Sequence, residues 1–223
     1  MIFSPFAILF FFFFLALVGF LFVFLHVGII TVAAGKLGLT GDQILTFLLG
    51  SLIGSHINIP VKKIDHGYEF HPERVVSFFG IRYVVPPVYE PRRTIIAVNV
   101  GGCVIPVFLS LYLILHHGLL LTPLVATVIV SGVCYKLARP IPGIGIGLPM
   151  FIPPIVAALV ALIIAPAKAP VVAYISGTLG TLIGADILHL AEVTKLRAPV
   201  ASIGGAGTFD GIFLTGVIAV ILA

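Results

Sequence analysis

Long apolar runs separated by short polar interruptions dominate this chain. Seven stand out, at about 5–34, 41–61, 94–115, 119–138, 149–167, 170–190 and 202–223. About 20 apolar residues in a helix, rising 1.5 Å each, cross a hydrocarbon core of about 30 Å. Helices are the expected form, because an open strand would leave backbone groups unpaired in lipid. The pattern therefore predicts an all-α integral membrane protein of about seven transmembrane helices, forming one domain over 1–223. The stretch from Phe6 to Leu25 has no polar side chain, and no Lys or Arg precedes it. It reads as a first span that stays, since a secretory signal has a shorter core and a basic start.

One polar segment, about 62–93, interrupts the apolar pattern. It carries Asp65, Glu69, Glu73 and Glu90, and the strand formers of 75–85 followed by Pro86-Pro87. A small β-hairpin-like cytoplasmic loop is expected there. Placing the N-terminus inside puts Lys62, Lys63, Arg74, Arg82, Arg92, Arg93, Lys136, Arg139, Lys195 and Arg197 in inner loops. Only Lys36 and Lys168 then fall outside. By the positive-inside rule this predicts an N-in, C-out protein.

Composition strengthens the membrane reading. Of the 223 residues, 60% are hydrophobic and 9% charged, too few charges to cover a water-facing surface. A multi-pass protein of the cell membrane, with membrane lipids as its surroundings, is the expectation. The basic residues sit at membrane edges without an aromatic stripe, so nucleic acid is not an expected partner. Cys103 and Cys134 both lie in apolar runs and form no disulfide or zinc framework. Gly143, Gly145 and Gly147 lack the Lys-Ser/Thr of a phosphate loop, so no cofactor is expected. Oligomeric state is left open by the sequence.

Eight acidic residues exist. Four lie in the polar segment, and Asp42 reads as a cap at the start of the second run. The other three, Asp186, Glu192 and Asp210, flank the connection between the last two runs. Acids at membrane depth are functional candidates by default. Asp210 has only thirteen residues after it, about 20 Å of helix. It thus lies either within the last helix or beside a break at Gly204–Gly207. Two carboxylates in one low-dielectric site share a proton, so that one acts as base and the other as acid. His56 and Asn58 end the second run and Asn99 opens the third. Together with His189, Gly205 and Gly207 they are expected to line one cavity with Asp186 and Asp210.

Asp186 and Asp210 on the last two runs, with Gly205-Ala206-Gly207 shortly before the second, resemble the presenilin and signal-peptide-peptidase group of GxGD intramembrane aspartyl proteases. The resemblance covers about 170–223. It implies catalytic roles for both aspartates and a transmembrane peptide as substrate. Thr208-Phe209 separate the glycines from Asp210, and Ala185 stands where that group has Tyr. The whole chain also resembles a family of uncharacterised multi-pass membrane proteins from prokaryotes, which implies no activity. Two alternatives use the same residues. A proton- or cation-coupled transporter would bind its ion at Asp186 and Asp210. A metal site would take Asp186, His189 and Glu192, spaced i, i+3, i+6 on one helix.

Overall fold

The computed structural model describes residues 12–14, 17, 28, 31–33, 35–71, 74–78, 81–85, 88–141, 145–195, 199–205 and 211–223. Helix α1 (Gly41–Gly54) is followed by strands β1 (Asn58–His71), β2 (Arg74–Phe78), β3 (Ile81–Val85) and β4 (Val88–Asn99). A π-helical turn at Val100–Val104 leads into α2 (Ile105–His117), and α3 (Leu121–Leu137) follows. Short strands β5 (Arg139–Ile141) and β6 (Gly145–Gly147) precede α4 (Ile152–Ile164) and α5 (Ala169–Thr181). A second π-helical stretch, Leu182–Ile187, extends α5; then come a 3-10 turn at Leu190–Lys195, strand β7 (Val200–Ile203) and α6 (Gly211–Leu222).

This corrects the all-α, seven-span expectation. The protein is mostly helical, but it contains a three-stranded mixed sheet ordered β1–β4–β7. Among the described residues, two helical runs are long and apolar enough to cross a membrane. These are Val100–His117 (18 residues) and Pro166–Glu192 (27 residues), and they point to membrane association. The expected runs at 41–61 and 94–115 each divide into a helix and a strand. Their apolar ends, Ile57-Asn58-Ile59 and Ile95-Ile96-Ala97-Val98, pair instead of coiling: Asn58 faces Asn99 and Ile59 faces Val98. A short apolar run rich in β-branched residues does not tell a buried strand from a helix by periodicity, and such residues suit a pleated surface. The run at 202–223 divides likewise, into β7 and a 12-residue helix.

The expected small hairpin over 62–93 is the far part of a longer one. The strands β1 and β4 pair antiparallel from Asn58↔Asn99 to His71↔Val88. Between them, the strand formers of 75–85 make the β2–β3 pair. The cap of α1 is Thr40, not Asp42. The Thr40 hydroxyl accepts from the Gln43 N–H, and the Gln43 side-chain carbonyl accepts from the Thr40 N–H at 2.9 Å, a reciprocal capping box. Asp42 sits in the first turn, where a negative charge suits the helix dipole.

The helical core is built from small side chains. Ala126, Val130 and Cys134 of α3 cluster with Ala157 and Ala161 of α4, Ala169, Val172 and Ala173 of α5, and Ala219 of α6. Small residues let helices approach closely and gain dispersion contacts without bulky interdigitation. Because Ala219 and Ala223 at the end of α6 pack with the start of α5, these two helices run antiparallel. The first turn of α6 therefore lies beside the end of α5.

Helices and sheet meet at Asn99, the last residue of β4, which is 1% exposed. Its amide nitrogen donates to the Ser55 carbonyl at 2.7 Å and to Asn58 Oδ1 at 3.1 Å. Its Oδ1 accepts from the Gly102 N–H at 2.7 Å, capping the first π-helical turn. Ser202 of β7 donates to the same Asn58 oxygen at 2.6 Å. Beside this knot the backbone of Gly101 lies against α1, and a Cβ there would collide with the Ser51 carbonyl and the Ser55 amide.

Gly101→Ala forces α1 and the π-helical turn apart and should cost about 3 kcal/mol, the upper part of the usual overpacking range. Asn99→Ala removes a cap and strands the Gly102 N–H and the Ser55 carbonyl. It should cost about 3 kcal/mol as well, whereas Ser202→Ala should cost about 0.5 kcal/mol. Thermal melting of the detergent-purified variants reads all three; equal melting of Asn99→Ala and Ser202→Ala would remove Asn99 as the hub.

Candidate functional site

Asp186 lies where α5 changes its hydrogen bonding. From Leu182 to Ile187 the helix is π-helical, a rare geometry that is often found at functional positions. The side chain is half-buried. Its Oδ2 accepts from the backbone N–H of Gly204 at 2.8 Å. Gly204 directly follows β7, which lies parallel to β4 with Val98 opposite Ile203. The sheet thus delivers the amide that holds the acid.

Gly204 must be glycine on two grounds. Its φ is +84°, in the left-handed region that side chains avoid, and a Cβ would lie 2.7 Å from that of Cys103. Gly205 follows with φ +85°. Consecutive glycines of this kind turn the chain out of β7, and residues 206–210 connect it to α6.

The expected cavity residues separate into three groups. Asn58 and Asn99 are joined directly, through the knot at the foot of the sheet, and the sheet links that knot to Gly204 and Asp186. Gly205 stands one residue from the Asp186 contact. His189 is buried at 5% exposure, but its Nδ1 lies 3.1 Å from the Gly184 carbonyl and its ring packs on Tyr135 at 4.9 Å. It serves the end of α5 rather than a shared cavity. His56 is exposed and turns back on its own helix end, with Nδ1 3.2 Å from the Leu52 carbonyl and 3.3 Å from Ser55 Oγ. Gly207 and Asp210 lie outside the described residues.

Asp186, His189 and Glu192 do not gather as a metal triplet: among the described residues no three His, Cys, Asp or Glu side chains do. The i, i+3, i+6 argument needs 100° per residue throughout. Here the backbone passes from π-helix to turn to 3-10 helix, so the angular register is lost. Sequence reasoning overlooked Ser202 and Ser55, and also Cys103, whose backbone lies against Gly204. The available signal for Ser202 was its place just before the glycines, a polar residue ending an extended apolar stretch.

The arrangement can hold a carboxyl group at the end of an apolar helix, oriented by the Gly204 backbone N–H, a donor that does not titrate.

A search of curated proteins and a search of solved structures each return no match. Residues 52–222 match the family described as protein of unknown function (DUF1614), which is more than half of the chain, and the protein belongs to that family.

Proposed function

We propose that the protein is a membrane-embedded hydrolase of the aspartyl type, in which Asp186 and Asp210 share a proton and activate water against an amide bond of a transmembrane peptide. The observation that carries this reading is the Gly204 N–H bond to Asp186. It ties the first acid to the glycine segment that leads to the second. The antiparallel packing of α5 and α6 supports it further. Asp210 precedes Gly211, the first residue of α6, in the sequence, and on this reading it would be carried to the end of α5 that holds Asp186. Two carboxyls brought together at low dielectric do not both ionise, so one takes the proton and the other remains a base. The membrane-length runs Val100–His117 and Pro166–Glu192 would embed the protein, in a multi-pass arrangement, where an apolar peptide could reach the pair. The presenilin-like glycine and aspartate pattern is in keeping with this chemistry, as is a prokaryotic family of membrane proteins.

A second reading, proton or cation transport through the same acids, draws on one observation. The hydroxyls of Thr127 and Ser131, one turn apart on α3, are buried with no hydrogen-bond partner among the described residues. Unspent hydrogen-bonding groups inside an apolar bundle are what an ion or proton path requires.

Vesicles containing the purified protein and single-span reporter peptides test both. The hydrolase reading expects cleavage that falls by about 10²–10⁴-fold in Asp186→Ala and in Asp210→Ala. Asp186→Asn, which keeps an acceptor for the Gly204 N–H, should melt like the wild type yet be equally inactive. Cleavage that survives both alanine variants would overturn the aspartyl pair, and no cleavage by wild type together with a proton flux abolished in the same variants would transfer the assignment to transport.

A further inference from the structure

At the end of the helices opposite the sheet, an apolar cleft of about 50 Å³ opens among Leu37, Phe47, Leu48, Leu109, Val217 and Val220. Leu109 lies seven residues before His116 along α2, so the cleft reaches about 10 Å inward from the polar end. Its rim is polar and basic. Lys36 donates to the Val220 and Ile221 carbonyls at 3.3 and 3.1 Å. His117 Nε2 lies 3.1 Å from the Leu37 carbonyl. His116 stacks on Tyr112 at 5.5 Å, and Gln43 donates to the Tyr112 hydroxyl at 3.2 Å. The Lys36 and His117 contacts are on cleft residues or next to them, and Gln43 precedes the cleft residue Ile44.

We infer that this cleft is a binding site for one anionic phospholipid, with an acyl chain between α1, α2 and α6 and the phosphate over Lys36 and His116. Charge complementarity identifies the occupant. Among the described residues this end presents two lysines, Lys36 and Lys168, against one acid, Asp42, with the His116 and His117 imidazoles beside them as hydrogen-bonding groups. The cleft wall itself offers nothing for a polar ligand to bond, whereas an apolar chain gains by leaving other surroundings only if it fits. Lys36 remains exposed, and an ammonium has three donors, so two helix-end carbonyls do not exhaust it. The site is independent of the acid chemistry at Asp186, which lies at the other end of α5.

The test is native mass spectrometry of the full chain, extracted in mild detergent from vesicles of equimolar phosphatidylglycerol and phosphatidylcholine. The wild type should retain one lipid, with phosphatidylglycerol favoured about fivefold, as one basic contact at a membrane surface provides. Val217→Phe fills the cleft and should lose the retained lipid. The double variant Lys36→Gln, His116→Gln should keep a lipid but hold the two headgroups equally. A wild type that retains no lipid or shows no preference overturns the inference, as does a Val217→Phe protein that melts and retains lipid like wild type. If Val217→Phe does not fold, the double variant decides, since both its residues are exposed: an unchanged headgroup preference would overturn the site.

Discussion

An apolar chain has few ways to satisfy a backbone amide where a regular element stops, and this fold depends on how it does so at Asn99. A strand ends there and a π-helical turn begins, inside packed protein. Each orphan group in such a place costs about 1–3 kcal/mol if left alone. One side-chain amide meets the need, with its nitrogen on Ser55 and Asn58 and its oxygen on Gly102. Because Asn58 also takes Ser202, the same knot fixes β1, β4 and β7 relative to α1 and α2. The position of Gly204, and so the orientation of Asp186, is set by that knot. A neutral asparagine suits the task, since it donates and accepts at once without the desolvation penalty of a charge.

Much of the candidate site was legible in the sequence, and the reasons are physical. A carboxylate or an amide in a charge-poor apolar run must be held by something, so Asp186, Asn58 and Asn99 stood out at once. The fold was less legible. Ile95-Ile96-Ala97-Val98 and Ile57-Asn58-Ile59 are apolar by any scale, and apolarity alone cannot distinguish a lipid-facing helix from a sheet covered by its neighbours. The β-branched residues were the available hint, but the assumption of an all-helical membrane protein outweighed them. His56 misled for a different reason. Its position at a helix end suggested a shared cavity, but an imidazole two residues past a helix finds the helix's own carbonyls within reach. The proposed Asp186, His189, Glu192 triplet failed because it extended α-helical spacing across a segment that is not α-helical.

The sheet also accounts for the height of the apolar body. The 14 residues of α1 rise only about 21 Å, short of a hydrocarbon core of about 30 Å. Yet its exposed apolar residues Leu45, Leu49, Leu52 and Ile53 are followed by Ile57 and by Ile59 and Val61 of β1, with the exposed His56 and Asn58 between them. Four strand residues add about 13 Å, and Lys62 and Lys63, both exposed, follow immediately. On the membrane-embedded reading, helix and strand together reach bilayer height and stop at charges suited to headgroups. Within the sheet β4 pairs on both edges, with β1 and β7, while β1 pairs on one edge among the described residues. The same arrangement carries polar backbone, and with it the Gly204 N–H, to the level of Asp186. A helical bundle has free amides only in the first turn of each helix, and Asp186 lies at the other end of its own. A sheet strand ending in two left-handed glycines has a free donor to present, and Asp186 receives it.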